Sequence, residues 1–110
     1  MTETRLPTHL WLEAKIRELT ARGQGVYVTH RGDAANGVVL LKIVDMAGGC
    51  CLLTQQRDLD GVLQWVNALS DERPDEKAAD DYIRRAVMVD PDVWVIELED
   101  RQLGNPFSEP

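Results

Sequence analysis

Hydrophobic and polar positions follow a helical period in two stretches of the chain and a strand-like period elsewhere. Leu12, Ile16 and Leu19 are spaced at i, i+4 and i+7, which predicts a helix over about Thr8 to Arg22 with one apolar face. A second helix is predicted to begin near Pro74, because proline and acidic residues favour the first helical turn. Its apolar face is formed by Ala79, Tyr82, Ile83, Ala86 and Val87.

Strands are predicted between the two helices and after the second one. Their β-branched runs and bounding turn residues place them at Val26–His30, Val38–Val44, Cys50–Arg57, Val62–Leu69 and Val93–Glu99. Asp60-Gly61 is typical of a hairpin turn. The stretch Val62–Leu69 also fits a helix, and the sequence leaves that alternative open.

This order of elements, α-β-β-β-β-α-β, predicts an α+β fold. Short turns favour an antiparallel sheet of about five strands with both helices on one face. The last strand could lie beside the first or beside the fourth. We expect a single domain over residues 1–103, because 110 residues leave no room for a second one, and a mobile C-terminal tail over residues 104–110.

The last strand carries apolar residues on both of its faces. Trp94, Ile96 and Leu98 share the face that we expect beneath the helices, so Trp94 should be buried. The other face is half apolar, whereas an antiparallel sheet covered on one side alternates cleanly. This pattern predicts a homodimer through the second sheet face, with Lys42 opposite Glu97 or Glu99 of a partner. The interface would comprise Val38, Leu40, Lys42, Val44, Val93 and Val95.

Charge and cysteine usage narrow the partners and the compartment. The formal net charge of −7 disfavours nucleic acid and acidic membranes, because both carry negative charge. No stretch reaches the roughly 20 apolar residues of a spanning helix, and Met1–Arg5 lacks a signal-peptide pattern. Cys50 and Cys51 are adjacent, so in a strand they point to opposite faces and are expected to stay free thiols. These features predict an acidic cytoplasmic protein.

No motif in the chain predicts a catalytic residue, a metal or a cofactor. His9 and His30 lack a Cys or a second His at ligand spacing. Asp58 to Gly61 resembles part of a calcium loop, but the twelfth position from Asp58 is Leu69 instead of Glu. Arg31-Gly32-Asp33 matches an integrin-binding tripeptide, and we interpret it as a chance match in a turn.

Arginine and carboxylate residues recur at the predicted strand ends. They are Arg31, Arg57 and Arg101 with the carboxylates of Asp58, Glu97 and Glu99. Ion pairs that fix strand ends are the simpler interpretation, because surface charges are usually solvated or paired. A ligand-binding or catalytic cluster is the alternative.

Several stretches distributed over nearly the whole chain resemble one protein family. They are Leu10-Trp11, Arg31 to Asp33, Gly37 to Lys42, Gln56 to Asp58, Trp65, Tyr82 to Arg85 and, most specifically, Asp90 to Arg101. The chain is similar in these stretches to an uncharacterised family of small bacterial, mostly alphaproteobacterial, proteins, domain of unknown function fourteen-ninety-one. The resemblance implies a cytosolic bacterial protein and brings no activity, cofactor or catalytic residue with it.

Two functional hypotheses from different classes follow. The first is an interaction or structural module that acts as a homodimer. The second is a small-molecule-binding protein or enzyme that uses the arginine–carboxylate cluster. A third, an acidic mimic of nucleic acid, is disfavoured because 12 Lys and Arg residues are mixed among the 19 acids. The first two hypotheses are distinguished by what lies at the second sheet face. Apolar contacts with a partner chain favour the first, and a concave polar pocket favours the second.

Overall fold

The computed structural model describes residues 7–35 and 37–108. Its elements are α1 (Thr8–Ala21), β1 (Val26–His30), β2 (Val39–Val44), β3 (Cys50–Arg57), β4 (Leu63–Asn67), α2 (Glu76–Val89), β5 (Trp94–Glu99) and a short 3-10 turn (Pro106–Ser108). The predicted order and the α+β class are confirmed, and the stretch with two alternatives forms a strand. The first six residues of the predicted domain and the last two of the predicted tail lie outside the described residues.

Both helices begin and end where local hydrogen bonding favours it. The first N–H groups of α1 donate to loop carbonyls, Thr8 to Ala35 O and His9 to Ala34 O. At its other end Gly23 adopts φ +82°, a conformation that glycine tolerates best. Asp75 caps α2, because its carboxylate accepts the Ala78 N–H at 2.7 Å.

The sheet is mixed, with strand order β1-β5-β2-β3-β4, so the expectation of a purely antiparallel sheet is wrong. β2, β3 and β4 form an antiparallel meander, but β5 lies between β1 and β2 and runs parallel to β2. The reason is the connection through α2. A helical crossover returns the chain in the direction of the strand before it, so β5 runs parallel to β4 and to β2.

The helices lie on opposite faces of the sheet, so the expectation that both cover one face is also wrong. α1 packs through Leu12 and Leu19 on a face that includes Leu41 and the buried Trp94. α2 packs on the other face, where Tyr82 and Ile83 contact the cluster around Leu40, Val93 and Val95. Because a central strand of such a three-layer fold is covered twice, both of its faces are apolar.

The C-terminal segment folds back onto the α1 face. Pro106 is buried, and the Phe107 ring lies 6.3 Å from Trp11 and 6.2 Å from Trp65, between ring centroids. Offset and edge contacts of this kind stabilise aromatic pairs. This packing accounts for the position of residues 106–108, and the mobility of the tail stays a prediction.

Candidate functional site

The sheet face beneath α2 contains one charged residue in an otherwise apolar strand. Lys42 lies in the middle of β2 with Leu40 on one side and Val44 on the other, all directed toward α2. Its side chain is only 4 % exposed. A lysine is almost never fully buried unless it is paired, so its partners define what this position does.

Three carboxylates from two elements surround the Lys42 ammonium. Glu76 and Asp80, one turn apart on α2, each accept a hydrogen bond from Nζ at 2.8 Å. Glu97, the register partner of Lys42 on β5, places Oε1 at 3.4 Å from Nζ. We call these four residues the lysine–carboxylate cluster. With one ammonium against three carboxylates, its formal charge is −2.

The environment keeps Lys42 protonated. Burial by itself would lower the pKa of Lys42, but the hydrogen bonds to Asp80 and Glu76 and the negative charge of Glu97 outweigh it and raise that pKa. A nucleophilic or Schiff-base lysine requires the opposite shift. The cluster is therefore suited to holding charge, and its carboxylates, between 34 and 58 % exposed, present that charge to solvent.

A groove begins at the cluster and continues between α2 and the β1–β5 side of the sheet. Its volume is about 430 Å³, within the range of sites that hold small ligands. Val95 and Glu97 form part of its floor, and its walls are Thr29, His30, Ile83, Arg84, Val87 and Met88. We call this space the α2–β1 groove.

Two polar side chains that line the groove, His30 and Arg84, are positioned by neighbouring groups. The His30 ring donates from Nδ1 to Val93 O at 2.7 Å, since a carbonyl oxygen can only accept. Arg84 donates to Asp81 Oδ1 at 2.9 Å, so its charge is balanced on α2 itself. The sequence spacing would equally allow Arg84 to pair with Asp80, which instead contacts Lys42.

The arginines that the sequence places at strand ends do not come together. Arg31 follows β1, where it lies over the Trp94 ring at 5.1 Å and 3.7 Å from Glu13. Arg57 ends β3 at the same end of the sheet and donates to Gly61 O at 2.7 Å. Arg101 follows β5 and lies at the opposite end of the sheet, because β5 is antiparallel to β1 and β3. The three residues therefore form no common site.

The carboxylates grouped with those arginines also have separate roles. Asp58 accepts the N–H groups of Asp60 and Val62 and so closes the β3–β4 hairpin. Glu99 accepts a hydrogen bond from the Tyr27 hydroxyl at 3.3 Å. Only Glu97 belongs to the lysine–carboxylate cluster.

The Arg-Gly-Asp tripeptide has a structural position at the start of β5. The Asp33 N–H donates to Asp92 O at 2.9 Å, and Trp94 Nε1 donates to Asp33 O at 2.7 Å. Gly32 lies so close to the Asp92 carbonyl that a side chain would clash there. These contacts fix the loop before the buried tryptophan.

In the structure, most of the residues expected to face a partner chain are covered by α2 of the same chain. Leu40, Val93 and Val95 are at most 4 % exposed and pack against α2 of the same chain, and Val44 is half-buried there. Val38 alone of the expected interface is exposed. Lys42 meets Glu97 of its own chain.

A second, larger depression lies on the opposite face, beside α1. It encloses about 1030 Å³ between the start of α1 and β3, with Trp11, Gln55, Arg57 and Leu63 among its lining residues. An adjoining depression extends past Trp65 to Phe107. The charged groups that line them are exposed, so no buried charge marks a ligand position there as Lys42 does in the α2–β1 groove.

Both cysteines are free and buried on opposite faces of β3, as the sequence predicts. Cys50 Sγ donates to Pro74 O at 3.3 Å. Burial raises the pKa of both thiols, so they remain protonated and unreactive at neutral pH.

Within residues 7–35 and 37–108, no group of three or more His, Cys, Asp or Glu side chains is arranged to hold a metal ion. Among the helices in the same ranges, none is both long and apolar enough to cross a membrane.

These features define a small three-layer α+β protein with a mixed five-stranded sheet and a charged cluster under its second helix. The chain belongs to the family described as protein of unknown function (DUF1491), whose model matches residues 6–108. The match to the family model confirms the resemblance that the sequence indicated. No curated protein matches the chain.

Solved structures show the same fold. A crystal structure of a DUF1491 family protein from Caulobacter crescentus CB15 is 37% identical, with a TM-score of 0.80 over 88% of this chain and 90% of that one. An NMR structure of a DUF1491 family protein from the same organism is 35% identical, with a TM-score of 0.83 over 98% and 97%. Protein Atu0922 from A. tumefaciens, at 20% identity, shares the fold with a TM-score of 0.71 over 88% and 87%.

Proposed function

We propose that this protein is a ligand-binding module, and that its site is the α2–β1 groove together with the lysine–carboxylate cluster. The ligand would be an organic cation with an apolar body. The observation that carries the proposal is the direct continuity of an apolar groove of about 430 Å³ with two partly exposed carboxylates of the cluster, Asp80 and Glu97.

The apolar part of the ligand would contact α2. Ile83, Val87 and Met88 line one wall of the groove, and the Met88 side chain is largely exposed. Covering apolar surface is favourable by roughly 25 cal/mol per Å². Methionine also adapts its shape to different ligands, because its side chain is flexible and polarizable.

The cationic part would bind the carboxylates of the cluster. Lys42 neutralises one of the three negative charges from below, which leaves a formal charge of −2 at the end of the groove. A ligand cation at the exposed carboxylate oxygens would offset this excess. The net charge of −7 for the whole chain attracts the same class of ligand and repels nucleic acid.

The test is a titration of the wild-type protein with hexylammonium, followed by backbone amide chemical shifts. We expect shifts at the groove residues and affinity about fivefold or more above that of 1-hexanol, which has the same apolar body without the charge. Equal binding of the two probes, or shifts confined to other surfaces, would contradict the proposal.

A pair of charge-removing variants sharpens the titration. Asp80→Asn removes a carboxylate of the cluster and should weaken hexylammonium binding about two- to fivefold. Glu72→Gln is the matched control, because it removes one negative charge from the exposed loop before α2, outside the groove. Circular dichroism of both variants verifies that α2 remains folded.

Self-association is the second candidate function. The observation that favours it is the outer edge of β4, the last strand in the sheet order, with Val62 and Leu63 exposed beside it. Sedimentation of the wild type at micromolar concentration tests it. A mass of two chains that Leu63→Lys reduces to one would support this candidate, and a single-chain mass would remove it.

We also propose that the protein works in the cytoplasm. Two adjacent free thiols are typical of a reducing compartment, where disulfides rarely form. Fractionation of the source cells, with the protein followed by an antibody, tests this. Recovery in an extracytoplasmic fraction would contradict it.

A further inference from the structure

The outer edge of β1 is open among the described residues, because β1 ends the strand order and pairs only with β5. The Glu99 N–H donates to Gly25 O, which makes that residue pair a hydrogen-bonded one. Hydrogen bonding alternates along an antiparallel pair. The N–H and C=O groups of Val26 and Val28 therefore point away from β5, toward the open edge.

This edge borders the α2–β1 groove. Thr29 and His30 at the end of β1 line the groove opposite Val87 and Met88 of α2. A chain segment that paired with β1 would form a sixth strand, and every second side chain of it would point toward the α2 face of the sheet. Strand and groove would then recognise the backbone and the side chains of one ligand.

We propose that the partner is an extended peptide segment with apolar residues and a basic residue on one face, and that it adds antiparallel to β1. This inference rests on the proposed function, because it identifies the organic cation as a lysine or arginine side chain. The cluster lies level with the start of β1, since its Glu97 is the register partner of Tyr27, the second residue of β1. In an antiparallel segment the basic residue is therefore near the C-terminal end.

Charge favours such a peptide over a second copy of this chain. Pairing of two β1 edges would bring together two surfaces that each contain Glu97 and Glu99 beside the strand, within chains of net charge −7. Like charges across an interface oppose association. A basic peptide removes that repulsion and complements the cluster.

The probe is a capped hexapeptide of the order threonine-valine-threonine-valine-threonine-lysine, titrated into the wild-type protein and followed by calorimetry and amide shifts. Its valines and its lysine share one face, and its threonines share the other. The N–H and C=O groups of Val26 point toward the open edge, and its side chain packs against the core beneath α1. The β1 residues that can bond an added strand therefore have their side chains on the α1 face. The threonine N–H groups of the bound peptide should therefore be the ones that face β1.

Backbone N-methylation tests this geometry without any change to the protein. Methylation of two threonine nitrogens removes hydrogen bonds to β1, and we expect binding about tenfold weaker or worse. Methylation of the two valine nitrogens, which point away from β1, should change affinity less than about threefold. Protection of the Val26 and Val28 amides from hydrogen exchange in the complex is the second expected result.

The possible outcomes separate this inference from the proposed function. If hexylammonium binds in the groove and the peptide does not, or if both methylated peptides bind alike, strand addition is wrong and the small-cation site stands. If neither probe binds, both proposals fail. If Val26 and Val28 are already protected in a free protein that sediments as a dimer, a second copy occupies the edge and the peptide assignment is overturned.

Discussion

Lys42 is the one charged side chain that is buried in the described part of the chain. Its pKa is raised in the folded state, so its ionic contacts contribute stability that is fully present below about pH 10 and is lost as the pH rises further. Lys42→Met removes these contacts and leaves three carboxylates without their ammonium. We expect a loss of about 1–3 kcal/mol at pH 7, below that of a fully buried pair because the carboxylates are partly exposed.

Urea unfolding of wild type and Lys42→Met between pH 7 and pH 11.5 measures this difference. The gap in unfolding free energy should narrow by about 1 kcal/mol between pH 9.5 and pH 11.5. Lys77→Met is the control, because Lys77 is exposed and pairs only at the surface of α2, so its effect should stay below about 0.5 kcal/mol. A gap that does not depend on pH would contradict the role assigned to the Lys42 charge.

Cys50 and Cys51 give a second measurable property of single residues. Because both thiols are buried and their pKa values are raised, we expect neither to react with iodoacetamide within minutes at pH 7.5 in the native protein. In denaturant, mass spectrometry should count two alkylated thiols. Rapid modification of the native chain, or a mass that shows a disulfide, would be incompatible with this environment.

The capping of α2 connects a local hydrogen bond to the candidate site, since the helix contributes Glu76 and Asp80 to the cluster. Asp75→Ala removes the acceptor of the Ala78 N–H and should cost about 1 kcal/mol of unfolding free energy. Glu72→Ala makes the same charge change on the exposed loop before the helix and should cost less than about 0.5 kcal/mol. Chemical denaturation compares the two, and equal effects would show that the cap is unimportant.

Helices and strands were predictable one by one, because their signals are local. The apolar periods of α1 and α2 and the β-branched runs of β2 and β5 lie within the segments themselves. The pairing of strands is not local. The position of β5 between β1 and β2 depends on contacts across the chain, and only its apolar residues on both faces, Val93 and Val95 against Trp94 and Ile96, indicated a central strand.

The candidate site was predictable only in part, for the same reason. Lys42 is conspicuous within an apolar run, and its pairing with a glutamate of the last strand was anticipated between chains; the structure shows it within one chain. Glu76 and Asp80 could not be assigned to Lys42, because the sequence does not show that α2 crosses this face. A charged residue within a predicted core strand, such as Lys42, therefore indicates the position of a buried ion-paired site.

The position of α2 over the second sheet face determines how the whole molecule responds to charge on β2. Leu40 is 3 % exposed beneath α2, whereas Val38, two residues away, is 45 % exposed. Leu40→Asp would bury a carboxylate among Val93, Val95 and the apolar side of α2. We expect this variant to lose more than about 4 kcal/mol or to fail to fold, because an unpaired charge is very costly in an apolar layer.

Val38→Asp introduces the same group at the exposed position and should cost less than about 1 kcal/mol. Circular dichroism and light scattering of both variants decide between two arrangements of the second face. If α2 covers it, Leu40→Asp unfolds the chain, whereas Val38→Asp stays folded with the wild-type mass and loses less than about 1 kcal/mol. If a partner chain covered it instead, Leu40→Asp would yield a folded chain of half the wild-type mass, because the charge would disrupt the interface and leave the core beneath α1 intact.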